Sequence, residues 1–181
     1  MSRINLPNKL TLFRIFLVPL ILVFLISPSV GSSIMAAIVF LVAAITDWLD
    51  GHLARVTNQV TLLGKLLDPI ADKILILAAL APLVELGRIS AWILVVIIGR
   101  DITISGLRMI ASSQGITIAA SATGKYKMIC EVVGIIFLIL NFHISFYIVG
   151  ITAIYIAMFL AIFSAVSYFL QFWSKINLFE N

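Results

Sequence analysis

The sequence predicts an all-α integral membrane protein, a bundle of six transmembrane helices. Three observations predict it. The chain of 181 residues is 62% hydrophobic and 11% charged, with a mean hydropathy of +1.20, far above the soluble range. So few charges cannot cover the surface of a water-soluble domain of this length. Apolar runs approaching the ~20 residues that cross a bilayer recur along the whole chain, and short polar turns separate them. No internal repeat, Gln/Asn tract or Pro-rich linker interrupts the series, so a single domain over 1–181 is expected.

Taken in order, the first span is expected at about 10–28, after a short interfacial segment over about 1–9 that contains "SRINLPNK". This start is basic and leads into an apolar run, as a signal peptide does. Arg14 and Pro19 interrupt the run, however, and no clear small-residue cleavage site follows, so the segment is expected to be retained. The second span covers about 33–55 and ends in the charged stretch "DWLDGHLAR"; the polar turn "RVTNQVTLLG" leads into the third, about 65–86. The fourth, about 89–111, reads "AWILVVIIGRDITISGLRMIA" and is polar in its later half. The fifth, about 125–141, follows "SQGITIAASATGKYK", and the sixth, about 144–170, follows "NFHIS". On the sixth, Ala153, Ala157, Ala161 and Ala165 recur every four residues, a small-residue face for either a homodimer or a seam within the chain. Trp48, Trp92 and Trp173 fall at interfacial-belt positions.

Lysines and arginines set the expected orientation. With the N-terminus in the cytoplasm, that side collects Arg3, Lys9, Arg55, Lys65, Lys73, Arg100, Arg108, Lys125, Lys127 and Lys175, against Arg88 on the other. The expectation is therefore N-in and C-in. The net charge of +4 reads as topology and contact with anionic lipid, not as nucleic-acid binding. The single Cys130 excludes a disulfide framework and a thiolate metal site. No Arg- and Ser-rich transit peptide is visible, which favours a bacterial cell (inner) membrane over an organelle.

Against this apolar background stands "DWLDGHLARVTNQVTLLGKLLDPIADK", residues 47–73. Four of the chain's eight acidic residues, Asp47, Asp50, Asp68 and Asp72, fall inside it. At about 100° per residue, Asp47 and Asp50 lie ~60° apart on one helix, sharing their face with Gly51 and Ala54. Gly64, Asp68 and Asp72 step by four on the next helix, drifting ~40° each time. Two carboxylates from each of two adjacent helices can thus converge on one point. They would repel one another unless cations sat between them. Hard oxygen donors suit Mg²⁺ or Mn²⁺, and two such ions commonly accompany phosphate chemistry. Gly51 and Ala54 leave room for a flat base or a diphosphate near the backbone. One aspartate near a helix end would more often be a solvated anchor; four in this spacing point to function.

The pattern Asp47-x2-Asp50-Gly51-x2-Ala54-Arg55-x8-Gly64-x3-Asp68-x3-Asp72 resembles, position for position, the signature of the CDP-alcohol phosphotransferases. The resemblance implies a six-span membrane fold, a reaction in which an alcohol displaces CMP from a CDP-alcohol, and a homodimer. It also implies that the four aspartates hold two divalent ions (Mg²⁺ or Mn²⁺) against the diphosphate. Asp72 would be the general base, Arg55 would hold diphosphate oxygens, and Gly51, Ala54 and Gly64 would make room for the cytidine. "LPNKLTLFR", "GRDITISGLR" and "AASATGKYK" look like the bacterial phosphatidylglycerophosphate synthases, which join CDP-diacylglycerol to sn-glycerol 3-phosphate. Asp101 departs from them, since they more often carry Glu there. An acceptor with its own phosphate needs cations, and Arg108, Lys125 and Lys127 are the candidates, although positive-inside anchoring alone also accounts for Lys127. Asn8 and Arg14, at the mouth of the first span, are candidates for the CDP-lipid headgroup; a snorkelling anchor is the equal alternative for Arg14. Two other readings stand beside this one. A sibling enzyme with another acceptor (phosphatidylglycerol, serine or an inositol phosphate) has less need of the basic residues over 100–127. A divalent-cation carrier has no use for Gly51, Ala54, Arg55 and Gly64.

Overall fold

The computed structural model describes residues 6–56, 62–113 and 122–177, with side chains described over 9–47, 49, 67–112 and 123–173. Six helices follow one another: α1 (Leu6–Ile26), α2 (Val30–Val56), α3 (Leu62–Glu85), α4 (Ala91–Ser113), α5 (Ala122–Leu140) and α6 (Ile144–Asn177). They coincide with the six expected segments, and no strand occurs among the described residues. Two boundaries move. α1 begins at Leu6, inside the expected interfacial segment, because Pro7 occupies an early helical position where its missing N–H costs no hydrogen bond. α6 runs to Asn177, well past the expected end, since nothing in "QFWSKIN" breaks a helix.

Local chemistry explains where the other helices stop. Ser29 caps α2: its Oγ accepts from the Ser32 N–H at 3.1 Å, while Ser32 Oγ accepts from the Ser29 N–H at 2.7 Å. α3 ends in a Schellman turn. Gly87 takes φ +67, its N–H donates to Val84 O at 3.0 Å, and the Arg88 N–H donates to Leu83 O at 2.9 Å. Arg88 then caps a second helix, donating through Nη1 to the carbonyls of Leu138 and Ile139 at the end of α5, at 2.7 and 2.8 Å. His143 sits in the α5–α6 turn with its Nδ1 3.1 Å from Ser145 Oγ.

The core joins α1, α2, α3 and α5 through Ile21, Leu25, Phe40, Leu75, Leu83 and Ile135. Outside it, large apolar side chains face outward: Phe16, Ile26, Val95, Phe159 and Leu170 are each well exposed. An apolar surface on this scale belongs in lipid or against a partner, not in water. Among the described residues, three helical stretches are long and apolar enough to cross a membrane, Lys9–Ile26, Val30–Asp47 and Ile144–Trp173. The charges of the site described next come from all of the first five helices, with Arg14 on α1 and Asp47 on α2 among them.

The small-residue face of α6 turns inward. Ala157 and Ala161 are fully buried within the one chain, so this stripe is an intramolecular seam and not a free face for a second copy. Glycines on α5 and α6 also allow these two helices to approach closely. A Cβ on Gly134 of α5 would lie 2.8 Å from Ile154 Cγ1, and one on Gly150 of α6 would lie 2.7 Å from Leu138 Cγ. This tight α5–α6 pair carries the basic residues of α5 against the polar end of α6.

Candidate active site

Successive helices run antiparallel, so one end of the bundle gathers the start of α1, the end of α2, the start of α3, the end of α4, the start of α5 and the end of α6. Many of the described charged side chains lie there, in two neighbouring groups. The first is built by α1, α2 and α3. Thr11 and Arg14 lie three residues apart on α1, about 4.5 Å along its axis, and both are fully buried. Arg14 Nη1 meets Asp47 Oδ1 of α2 at 2.7 Å. Thr11 Oγ1 donates to Asp68 Oδ1 of α3 at 2.7 Å. Asp47 and Asp68 are therefore brought to neighbouring positions on one face of α1, from different helices. Arg14 is not a snorkelling anchor, because no part of its side chain reaches the surface.

One turn further along α3, Asp72 pairs with its neighbour Lys73, Oδ2 to Nζ at 2.7 Å, and lines the second group. This is a polar cavity of about 250 Å³ between α3, α4, α5 and α6. Arg108, Lys125 and Lys127, expected together from the sequence, all line it, as do Asp72 and Tyr168. The three cations differ in their surroundings. Arg108 donates from Nη2 to the Tyr168 hydroxyl and stacks over that ring, 4.8 Å from its centroid. Lys125 is exposed. Lys127 is buried between two carboxylates, with Nζ 2.6 Å from Asp101 Oδ2 and 2.6 Å from Glu131 Oε2.

Asp101 is shared: its Oδ1 lies 3.0 Å from Arg100 Nη1. Arg100 in turn donates from Nε to Ala161 O at 3.0 Å and from Nη2 to Ser164 Oγ at 2.9 Å, tying α4 to α6. The network of Arg100, Asp101, Lys127 and Glu131 balances two positive against two negative charges. Sequence reasoning noted Asp101 but passed over Glu131. Its signal was readable: Lys127 and Glu131 stand four apart on one helix face.

The candidate metal-binding set is brought together only in part. Among the described residues no group of three or more His, Cys, Asp or Glu gathers closely enough to hold an ion. Asp50 belongs to α2, but its side chain lies outside the described residues, as do those of Asn8, Ala54 and Arg55 and the surroundings of Gly51 and Gly64. The donor chemistry fits a hard divalent ion: Asp47 and Asp68 are adjacent carboxylates from different helices, and Asp72 is one turn away. Beside the polar cavity, α3 and α4 enclose an apolar groove of about 440 Å³ lined by Ile70, Ile74, Leu77, Ile102 and Met109. Lys73 and Ser105 line both spaces, so the groove and the cavity are neighbours.

Comparison with known proteins places this geometry. The family model for CDP-alcohol phosphatidyltransferase matches residues 4–167. A Bacillus subtilis (strain 168) protein named CDP-diacylglycerol–glycerol-3-phosphate 3-phosphatidyltransferase is 36% identical, over 96% of this chain and 97% of its own. Its namesake from Wigglesworthia glossinidia brevipalpis is 36% identical over 99% and 100% of the two chains. The one from Escherichia coli (strain K12) is 37% identical over 91% and 92%. A match running almost end to end, across the segments that carry the carboxylates of α2 and α3 and the basic cavity, means that the chain belongs to the CDP-alcohol phosphatidyltransferase family.

Proposed function

We propose that this protein transfers the phosphatidyl group of CDP-diacylglycerol to sn-glycerol 3-phosphate, giving phosphatidylglycerophosphate and CMP in phospholipid biosynthesis. The observation that carries this reading is the juxtaposition of Asp68 and Asp72 with a small basic cavity containing Arg108 and Lys125. At about 250 Å³ the cavity is below the ~300–1,000 Å³ typical of drug-sized pockets. It suits a three-carbon phosphate ester better than a second lipid, which argues against phosphatidylglycerol as the acceptor. An apolar groove that meets this cavity at Lys73 and Ser105 is what a donor with acyl chains and a charged headgroup requires. The names of the relatives agree with the donor and the acceptor.

In this reading Arg108 and Lys125 hold the acceptor phosphate by charge-assisted hydrogen bonds, turning the free hydroxyl toward α3. Asp72, which lines the cavity, accepts the hydroxyl proton as general base. The hydroxyl oxygen bonds to the phosphatidyl phosphorus as the bond from that phosphorus to the CMP oxygen breaks. Arg55 binds the diphosphate, Gly51, Ala54 and Gly64 accommodate the cytidine, and Asn8 borders the donor headgroup. Arg14 holds Asp47 in place. Asp47, Asp50, Asp68 and Asp72 would hold two Mg²⁺ or Mn²⁺ ions, which when bound supply Lewis-acid neutralisation of the phosphoryl oxygens. The six helices are read as six spans with both termini and the site on the cytoplasmic side of a bacterial cell membrane.

An acceptor panel tests the reaction. Purified protein with CDP-diacylglycerol and Mg²⁺ or Mn²⁺ is given each alcohol separately, and CMP release is measured. sn-Glycerol 3-phosphate is expected to support the highest rate. Faster release with phosphatidylglycerol, serine or inositol phosphate would replace this acceptor.

A further inference from the structure

Glu131 is the most deeply buried carboxylate among the described residues, at 2% exposure, and it lines the polar cavity. One of its oxygens is accounted for: Oε2 meets Lys127 Nζ at 2.6 Å. The other, Oε1, is buried with no hydrogen-bond partner among the described residues. A buried carboxylate oxygen without a donor costs free energy, and an ionised carboxylate offers acceptors only. It therefore recognises a donor, and it repels a phosphate. The cations that can hold a phosphate, Arg108 and Lys125, line the same space. Lys127, with two of its three N–H donors committed to Asp101 and Glu131, adds little net charge. The cavity thus has one region suited to an anion and another suited to a hydroxyl.

We infer that Glu131 Oε1 accepts a hydrogen bond from the hydroxyl of the acceptor that does not react, so that the site selects a polyol phosphate over a simple hydroxyalkyl phosphate. This rests on the reading of the cavity as the acceptor site. In sn-glycerol 3-phosphate, with the terminal hydroxyl attacking, the unreacting group is the one on the middle carbon. Glu131 is then a specificity-determining residue, its other oxygen, Oε2, being held by Lys127.

The test compares two acceptors, sn-glycerol 3-phosphate and 3-hydroxypropyl phosphate, the same chain without the middle hydroxyl. Wild-type protein should prefer the first in kcat/KM by roughly ten- to a hundredfold, the range of one hydrogen bond to a charged group. Glu131→Leu should remove most of that preference, lowering kcat/KM for sn-glycerol 3-phosphate by a larger factor than for 3-hydroxypropyl phosphate. If Glu131→Leu does not fold, Glu131→Gln carries the test, since it keeps the shape and one oxygen for Lys127. Its preference should fall below the wild-type ratio. A variant that loses both acceptors by the same factor, or keeps the wild-type ratio, overturns the role of Glu131 and leaves the proposed reaction standing. Wild-type protein that releases CMP with neither phosphate ester overturns the reaction itself, and this assignment with it.

Discussion

Arg108 and Lys127 line the same cavity, yet the physics around them assigns different tasks, and substitution should separate them. Arg108 is held by Tyr168, a neutral partner, so its charge remains available to an anion. Arg108→Ala or Lys125→Ala should raise KM for sn-glycerol 3-phosphate about ten- to a hundredfold, the equivalent of ~1.5–3 kcal/mol. KM for CDP-diacylglycerol should stay close to wild type, and steady-state kinetics with each substrate varied in turn reads both. Lys127→Met instead strands Glu131 as a buried carboxylate and leaves Asp101 with Arg100 alone. Removing one partner of such a buried set costs about 3–5 kcal/mol, so thermal denaturation in detergent should show a large loss of stability that Arg108→Ala lacks. Asp68→Asn is the converse case. The amide oxygen can still accept from Thr11 Oγ1, so the protein should remain folded and membrane-inserted while CMP release is abolished. Near-normal release at saturating Mg²⁺ would remove Asp68 from the site. Asp68 and Asp72 were legible as neighbours in the sequence because a gap of four residues survives as a helix face. The partners of Arg14 and the position of Glu131 were not, because they depend on which helices are neighbours, and one-dimensional spacing does not encode that.

At the scale of the element, hydropathy located all six helices but misplaced two of their ends, since helix termini are set by caps and hydropathy averages over them. The α5–α6 seam shows a second limit. Alanines at four-residue spacing drew attention to α6, while the contact that fixes it is the crossing of Gly134 with Gly150, one glycine from each helix. A Cβ at Gly150 would also stand 3.0 Å from the backbone nitrogen of Leu138, and backbone cannot rotate out of the way as a side chain can. Gly150→Val should therefore push α6 from α5 and destabilise the protein by at least the ~1–3 kcal/mol of an overpacked core. Because α5 carries Lys125, Lys127 and Glu131 while α6 carries Tyr168, the same shift should loosen the cavity. The expected result is a lower melting temperature in detergent together with a higher KM for the acceptor. A variant with wild-type stability would show that the two helices do not pack this closely.

Over the whole molecule, charge is divided unequally between the two ends of the bundle. At one end the described side chains include Lys73, Arg100, Arg108, Lys125 and Lys127, all lining the cavity or its network. At the other, Arg88 is spent capping α5. This asymmetry was legible from the start, because loop charge needs only the order of the spans. It also makes the orientation testable apart from any chemistry, since lysine and arginine are retained on the cytoplasmic side. In a Cys130→Ser background, single cysteines can be placed at Ser29, Ser90 and His143, exposed positions at or beside the turns of the Arg88 end, and at exposed Ser112 near the opposite end. A membrane-impermeant maleimide applied to intact spheroplasts should label the first three. Ser112→Cys should react only after permeabilisation. The α3–α4 turn, which contains Ser90, decides the span count: with α3 and α4 as full spans, Ser90→Cys must behave like Ser29→Cys and His143→Cys. Labelling of Ser112→Cys in intact spheroplasts would invert the orientation. Protection of Ser90→Cys while its two companions react would mean that α3 and α4 do not cross, leaving four spans in place of six.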